Sequence, residues 1–176
     1  MSELPLAISW PAELVTARLI LRPIESADVP AISRLWTDPE VRRYLGGPVA
    51  DAEVAARQRG CVGARGCFGV LSRSDRIVLG MVLVEPNARG DSRTEVSYSF
   101  LPERWGHGYA REAVSATVTW AMADTIATPA AVIAITQQAN DPSRRLLESI
   151  GMVLISSFVE WGAPQLMYSV DRSELR

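Results

Sequence analysis

The chain has 176 residues, of which 48% are hydrophobic and 22% charged, proportions that fit one folded domain and exclude a largely disordered polymer. Its 18 basic side chains are all arginine, with no lysine, against 20 Asp and Glu, for a net charge of −2. That balance excludes affinity built on a basic face that tracks nucleic-acid phosphates, and arginine-rich codon usage accounts for the absent lysines. The first residues lack a basic segment and are broken by Pro5 and Pro11, so no signal peptide is expected. No apolar run approaches the roughly 20 residues needed to cross a bilayer, so no membrane partner and a cytoplasmic location are expected.

Arg18–Ile24 alternates polar and apolar residues as a half-buried strand does. Asp28 offers an N-cap to a helix carrying Ile32, Leu35 and Trp36 on one face, and Asp38-Pro39 ends it. A second helix is predicted through Asp51 to Arg59. Cys61 and Cys67 lie in CVGARGC, a spacing that matches neither a zinc site nor a redox pair, so free thiols and no metal are expected. Strands follow at Cys67–Ser72 and Ile77–Val84, joined by the Arg73-Ser74-Asp75 turn. The loop Pro86–Arg93, whose Arg89-Gly90-Asp91 reads as a hairpin turn, leads to a strand at Glu95–Leu101. Ala110, Ala113, Val114, Thr117, Val118, Ala121 and Met122 recur at three-four spacing, the mark of an amphipathic helix. Ala130–Ile135 reads as a strand buried on both faces. Asp141 is the expected cap of the next helix, Pro142 suits its first turn, Leu146, Leu147 and Ile150 form its stripe, and Gly151 stops it. The last strands are Met152–Trp161 and Gln165–Val170, around a Gly162-Ala163-Pro164 turn. No repeat or linker divides the chain, so residues 1–176 are expected to form a single domain. Its fold class is α/β, a mixed, mostly antiparallel sheet of about seven strands flanked by helices, with one parallel β-α-β crossover.

Leu101–Ala113, LPERWGHGYAREA, is the most informative segment. Gly106 and Gly108 lie between a strand and a helix, where free amides and the positive end of the helix dipole make an anion site that suits a pyrophosphate. The same glycines also fit a turn that merely starts a helix. A dinucleotide fold is disfavoured because the next strand ends in Thr136-Gln137-Gln138 rather than in an acid.

Leu14–Pro23 (LVTARLILRP), the helix ending Trp36-Thr37-Asp38-Pro39-Glu40-Val41, Tyr98–Ala113 and Asn140–Gly151 occur in the order seen in the GNAT superfamily of N-acetyltransferases. The chain resembles its RimJ/RimL branch over nearly its whole length. The superfamily motif Q/R-x-x-G-x-G/A falls on Trp105–Ala110, with Trp105 in place of Gln or Arg, and Gly108 and Ala110 in the small positions. The resemblance implies that the amides of Gly106, His107, Gly108, Tyr109, Ala110 and Arg111 hold the pyrophosphate of acetyl-CoA. It also implies that the backbone of Tyr98, Ser99 and Phe100 pairs with the pantetheine, beside Asn140 and Ser143. A homodimer is plausible for the branch.

Moving an acetyl group from a thioester to a primary amine in a ternary complex needs a neutral amine, donors for the oxyanion and a hydrogen bond for the departing thiolate. Glu160, before the Trp161–Pro164 turn, and Glu95, opening its strand, are the candidate bases by resemblance; surface carboxylates remain the alternative for each. Many superfamily members use a tyrosine in the helix after the Asn, but here Arg145-Leu146-Leu147 holds leucine at that place, so Ser143 is the candidate donor to sulfur. A serine bonded to helix backbone is its alternative. His107, the only histidine, lacks the partners of a metal site, and only its backbone is expected to matter. Arg104 and Arg111 add charge toward phosphates, while Trp36, Tyr44, Phe158 and Trp161 could line an acceptor pocket. The acceptor implied is a peptide N-terminal α-amine or a small amine. The alternative function is a weakly active or inactive CoA-binding sensor or assembly protein of the same fold.

Overall fold

Eight strands form one sheet in the order β1-β2-β3-β4-β5-β6-β8-β7 among the residues that the computed structural model describes, 10–86, 88–124 and 131–171. The N-terminal residues 1–9 and Ala130, the expected first residue of a strand, lie outside them. In chain order the elements are β1 (Leu14–Val15), β2 (Leu19–Pro23), α1 (Val29–Thr37), α2 (Asp51–Cys61), β3 (Cys67–Ser72), β4 (Val78–Pro86), β5 (Thr94–Phe100), α3 (Tyr109–Asp124), β6 (Ala131–Gln137), α4 (Asp141–Ser149), β7 (Val153–Glu160) and β8 (Ala163–Asp171). The strand beyond the expected seven is β1. It has two residues, paired Leu14↔Leu21 and Val15↔Ile20, too few to show a period in sequence.

Two cores form because successive strand residues point to opposite faces. Within β3, Phe68 and Val70 face a core with Ala113, Val114, Val118 and Met122 of α3 and Leu147 of α4, whereas Cys67 and Leu71 join Ile32, Leu35 and Trp36 of α1 and Val54 of α2. Each fully buried side chain of this kind contributes about 1.5–3 kcal/mol, so both layers are held by ordinary apolar burial.

Every neighbouring pair of strands is antiparallel except β5 and β6, the ends of the crossover through α3. That pair is joined only at Thr94↔Val132 and Glu95↔Ile133. From Val96 onward β5 keeps its partner β4 and loses β6, while β6 stays paired to β8 as far as Gln137↔Gln165. The sheet therefore opens into a cleft. Gly80 lets β4 support the free half of β5 closely, since a Cβ there would stand 2.4 Å from the Ser99 carbonyl oxygen and 2.7 Å from the Phe100 ring.

Two caps differ from expectation. The N-cap of α4 is Asn140, whose side chain accepts the Ser143 amide at 3.3 Å, while Asp141 is the first helical residue and pairs with Arg144 at 3.1 Å. Asp28 precedes α1 but does not cap it with its side chain. Its buried carboxylate turns back to the Glu25 amide (2.8 Å) and the Arg22 guanidinium (2.7 Å), where it closes the preceding turn and neutralises a half-buried charge.

Candidate functional site

The cleft is a cavity of about 630 Å³ with walls from both parted strands, the start of α3, the start of α4 and the loop after α1. Tyr98, Ser99 and Phe100 line it from β5, and Ile135, Thr136 and Gln137 from β6. Gly106, Gly108, Tyr109, Ala110 and Arg111 close one end, with Asn140 and Ser143 beside them. The residues expected from sequence to hold a cofactor thus meet in one space, His107 excepted. His107 does not line the cavity; its ring lies edge-on to Tyr109 at 5.7 Å, and its carbonyl accepts from Arg18.

The end wall is built by the glycine turn. Gly106 and Gly108 adopt φ of 76° and 77°, a region in which a side chain is strained, and a Cβ on Gly108 would come within 3.4 Å of the Arg18 guanidinium. The first bond of α3 runs from the Glu112 amide to the Gly108 carbonyl at 3.1 Å, so the amides of Tyr109, Ala110 and Arg111 are the free donors of a helix start. Arg43, Arg104, Arg111 and Arg145 also line the cavity against a single acid, Glu40, and none of the four is ion-paired among the described residues. A chain with net negative charge thus lines one cavity with four arginines in no ion pair and with the free amides of a helix start, which fits a bound polyanion such as a pyrophosphate.

Residues that sequence reading did not single out hold this turn in place. Glu112 in the first turn of α3 accepts from the Thr16 hydroxyl (2.6 Å), the Arg18 amide (2.9 Å) and the Arg18 Nε (2.7 Å). Burial raises the pKa of Glu112, but these donors outweigh it and leave the carboxyl below its ordinary value. Arg18 in turn donates to the His107 carbonyl at 2.9 Å and stacks its guanidinium 4.8 Å from the Tyr109 ring centre. An acid at the start of a helix is a visible sequence signal, yet its partners lie more than 90 residues away along the chain and carry none.

Across the cleft, Tyr98 Oη and Ser143 Oγ are 2.8 Å apart, joining the free half of β5 to the first turn of α4. Tyr98 is half-buried as a whole because it lines the cavity, while its phenol oxygen is desolvated. Burial pushes its pKa up to about 12, against a smaller lowering by the Ser143 bond.

The candidate bases lie elsewhere. Glu95 sits at the last rung before β5 and β6 part, and Glu160 ends β7; neither lines the cavity. Both meet Arg89 of the loop before β5, at 3.3 Å for Glu95 and 3.2 Å for Glu160, and Arg89 also lies 5.6 Å from the Phe158 ring centre. The Glu160 bond is the larger cause of a raised Arg89 pKa, opposed by burial and aided by Glu95. Of the expected acceptor residues, Tyr44 lines the cavity. Trp36 is buried in the α1–α2 core, 6.0 Å beneath Arg57, and Trp161 is 89% exposed in the turn between β7 and β8 with φ of 50°. A second depression of about 690 Å³ near α1 is more open, and its Arg22 and Arg34 are neutralised by Asp28 and Glu103 within it. Both cysteines are free and buried, and burial pushes the Cys67 thiol up to about 12. Among the described residues no helix is long and apolar enough to cross a membrane.

Residues 18–153 match the family described as an acetyltransferase (GNAT) domain. The uncharacterized N-acetyltransferase YoaA of Bacillus subtilis is 29% identical over 147 residues, covering 78% of this chain and 81% of that protein. The fold is similar to that of a GNAT-family acetyltransferase from Bacillus anthracis, with a TM-score of 0.82 and 24% identity over 93% of this chain and 100% of the other. It is also similar to spermidine N-acetyltransferase from Vibrio cholerae, solved with CoA and spermine, with a TM-score of 0.75 and 17% identity over 90% and 98% of the two chains.

Proposed function

The chain belongs to the GNAT acetyltransferase family and is an acetyltransferase with an amine acceptor, and on that premise we propose that it moves acetyl from acetyl-CoA to a primary amine by direct attack in a ternary complex. The observation that carries the proposal is the cleft between β5 and β6, lined by the start of α3 and by four arginines that form no ion pair among the described residues. The pyrophosphate binds the amides from Gly106 to Arg111. The pantetheine lies along Tyr98–Phe100, beside Asn140 and Ser143. Acetyl-CoA supplies an activated acyl carbon and a thiolate leaving group; the protein supplies binding, orientation and donors. A backbone amide of Tyr98–Phe100 receives the oxyanion, and the Ser143 hydroxyl faces the sulfur. Glu95 or Glu160 takes the amine proton through water, each released from Arg89 as the acceptor enters.

The acceptor is a peptide N-terminal α-amine, as the resemblance to the RimJ/RimL branch suggests, or a small amine, the class bound in the Vibrio cholerae neighbour. Residues 1–176 act as one cytoplasmic catalytic domain, without nucleic acid or metal. Homodimerisation is supported by β7, an edge strand with Val153, Leu154, Ile155 and Val159 each about half or more exposed, the last at 74%. The test is a titration with CoA followed by an amine panel of peptides, polyamines, amino acids and aminoglycosides. Saturable CoA binding with acetylation of one class is expected. Tight CoA binding with no acetylated amine would mark a sensor, and no CoA binding would remove the proposal.

A further inference from the structure

We propose that Tyr98 is a positioning residue for thiolate departure: its phenol donates to Ser143 Oγ and thereby turns the Ser143 hydroxyl proton into the cleft. The inference rests on the CoA-site reading above. Its geometric basis is the 2.8 Å contact between Tyr98 Oη and Ser143 Oγ, which spans the opening from β5 to α4. The direction of the bond follows from the two groups. A phenol is a stronger acid than an alkanol, so in a phenol–alkanol pair the phenol donates. The Ser143 amide is already bonded to the Asn140 side chain at 3.3 Å, which fixes the residue at the third position of α4. Among the described residues its hydroxyl makes no bond other than that to Tyr98, so the usual return of a helical serine to a preceding carbonyl does not take place. With one lone pair of its oxygen occupied by Tyr98, the Ser143 hydroxyl keeps its proton free to donate a hydrogen bond, and the residue borders the cavity.

A tyrosine on the strand thereby stands behind the serine, while α4 itself has leucine where many superfamily members have a tyrosine. In the reaction the amine nitrogen bonds the acetyl carbon, the carbon–sulfur bond breaks and its electron pair passes to sulfur. The nitrogen loses one proton to the base or water, and the departed thiolate takes up one proton from solvent water, so amine and thioester become amide and thiol. Ser143 stabilises the thiolate by a hydrogen bond, which Tyr98 polarises and strengthens in series; neither residue gives up its proton. Since burial pushes the phenol to about 12, Tyr98 remains a donor throughout the range in which a thiol ionises.

The test reads the thiol of bound CoA and requires no acceptor. The ultraviolet absorbance of the thiolate is titrated against pH in saturated complexes, with desulfo-CoA as the blank. Glu40, Arg43, Arg104, Arg111 and Arg145 line the same cavity and bias the thiolate equally in wild type and variants, so the difference isolates the hydroxyl pair. Tyr98→Phe and Ser143→Ala should each raise the thiol pKa by about one unit, and the double variant by no more than Ser143→Ala alone, because the bonds act in series. Ser143→Thr keeps the hydroxyl and should restore the wild-type value. A shift in Ser143→Ala without one in Tyr98→Phe would leave Ser143 acting alone and overturn the proposal, as would unshifted titrations in variants that bind CoA. Failure of the wild type to bind CoA removes the underlying reading and the proposal together, a result visible before any titration.

Discussion

The two ends of the molecule's working region are built differently. The α3 end is fixed by interactions that converge on one place: Glu112 binds Thr16 and Arg18, Arg18 binds the His107 carbonyl, and the turn presents backbone amides. At the β7 end the strand pairs with β8, but its charged side chains converge on no backbone: Arg89 is shared by Glu95 and Glu160, beside a turn whose Trp161 is 89% exposed. Backbone amides recognise a phosphate whatever side chains surround them, so a donor common to a family can be held by a turn of small residues. On the proposed function the acceptor meets side chains at the opposite end, where a shared guanidinium and an exposed edge leave room for change. The difference teaches that, on the proposed function, the donor site is written into the fold and acceptor choice onto it.

The largest effect should come from filling the turn. Gly108→Trp forces a large side chain onto a residue at φ 77° that already lies 3.4 Å from Arg18 when given only a Cβ, so CoA binding should fall by at least about 100-fold in a calorimetric titration. Retained affinity would mean that the turn does not hold the donor. Next, replacing a general base that works directly should lower kcat by roughly 100-fold or more. Glu95→Gln and Glu160→Gln, assayed with any acceptor the panel yields, should lower kcat with CoA affinity unchanged for whichever is the base. Near-normal turnover in both would move the base to water.

The fold was largely legible because most of its elements announce themselves by pattern: the α3 stripe, the run through Ile135 and the hairpins stand within a few residues of their expected places, although the tail turn is Trp161-Gly162 and Ala163-Pro164 already pair in β8. What period cannot report is pairing over distance. The cleft exists because β5 and β6 share just two rungs, a property of neither strand alone. The glycine turn was legible as the break between a strand and a helix, and the residues that resemblance added, Tyr98, Asn140 and Ser143, line the same cavity with it. The clamp of Thr16 and Arg18 on Glu112 was not legible, since each residue has an ordinary surface reading until the fold joins them. Asp28 and Asp141 show the same limit at short range. Each has the right residue type for a cap, but an arginine in reach takes its carboxylate in another direction.

An intermediate effect should follow from removing the charge of the clamp. Glu112→Gln forfeits charged hydrogen bonds worth roughly 2 kcal/mol of stability and should weaken CoA about 10-fold by loosening the turn. The sign with pH is fixed by the direction of the shift. A carboxyl whose folded pKa is lowered stabilises the fold above its ordinary value of about 4.3, and that increment is lost as pH falls through the lower folded value. The variant has no such increment to lose, so the gap in Tm between wild type and Glu112→Gln should be full at neutral pH and close on acidification. A gap independent of pH would assign the loss to packing.

The smallest effect should come from Arg89→Ala, and it separates the two ends most sharply. The side chains of Arg89, Glu95 and Glu160 are 27%, 17% and 30% exposed, so the pairs are partly screened by water and worth at most about 1 kcal/mol. Thermal melts in low and high salt should show a small difference that salt removes, since an ion pair near the surface is screened while packing is not. CoA affinity should stay within about twofold, because Arg89 touches nothing at the α3 end, and changes in kcat or in the acceptor KM should appear alone. A fall in CoA affinity comparable to that of Glu112→Gln would instead show that the ends are coupled through β5, the strand that carries Glu95 at one end and the cleft wall from Tyr98 to Phe100 at the other.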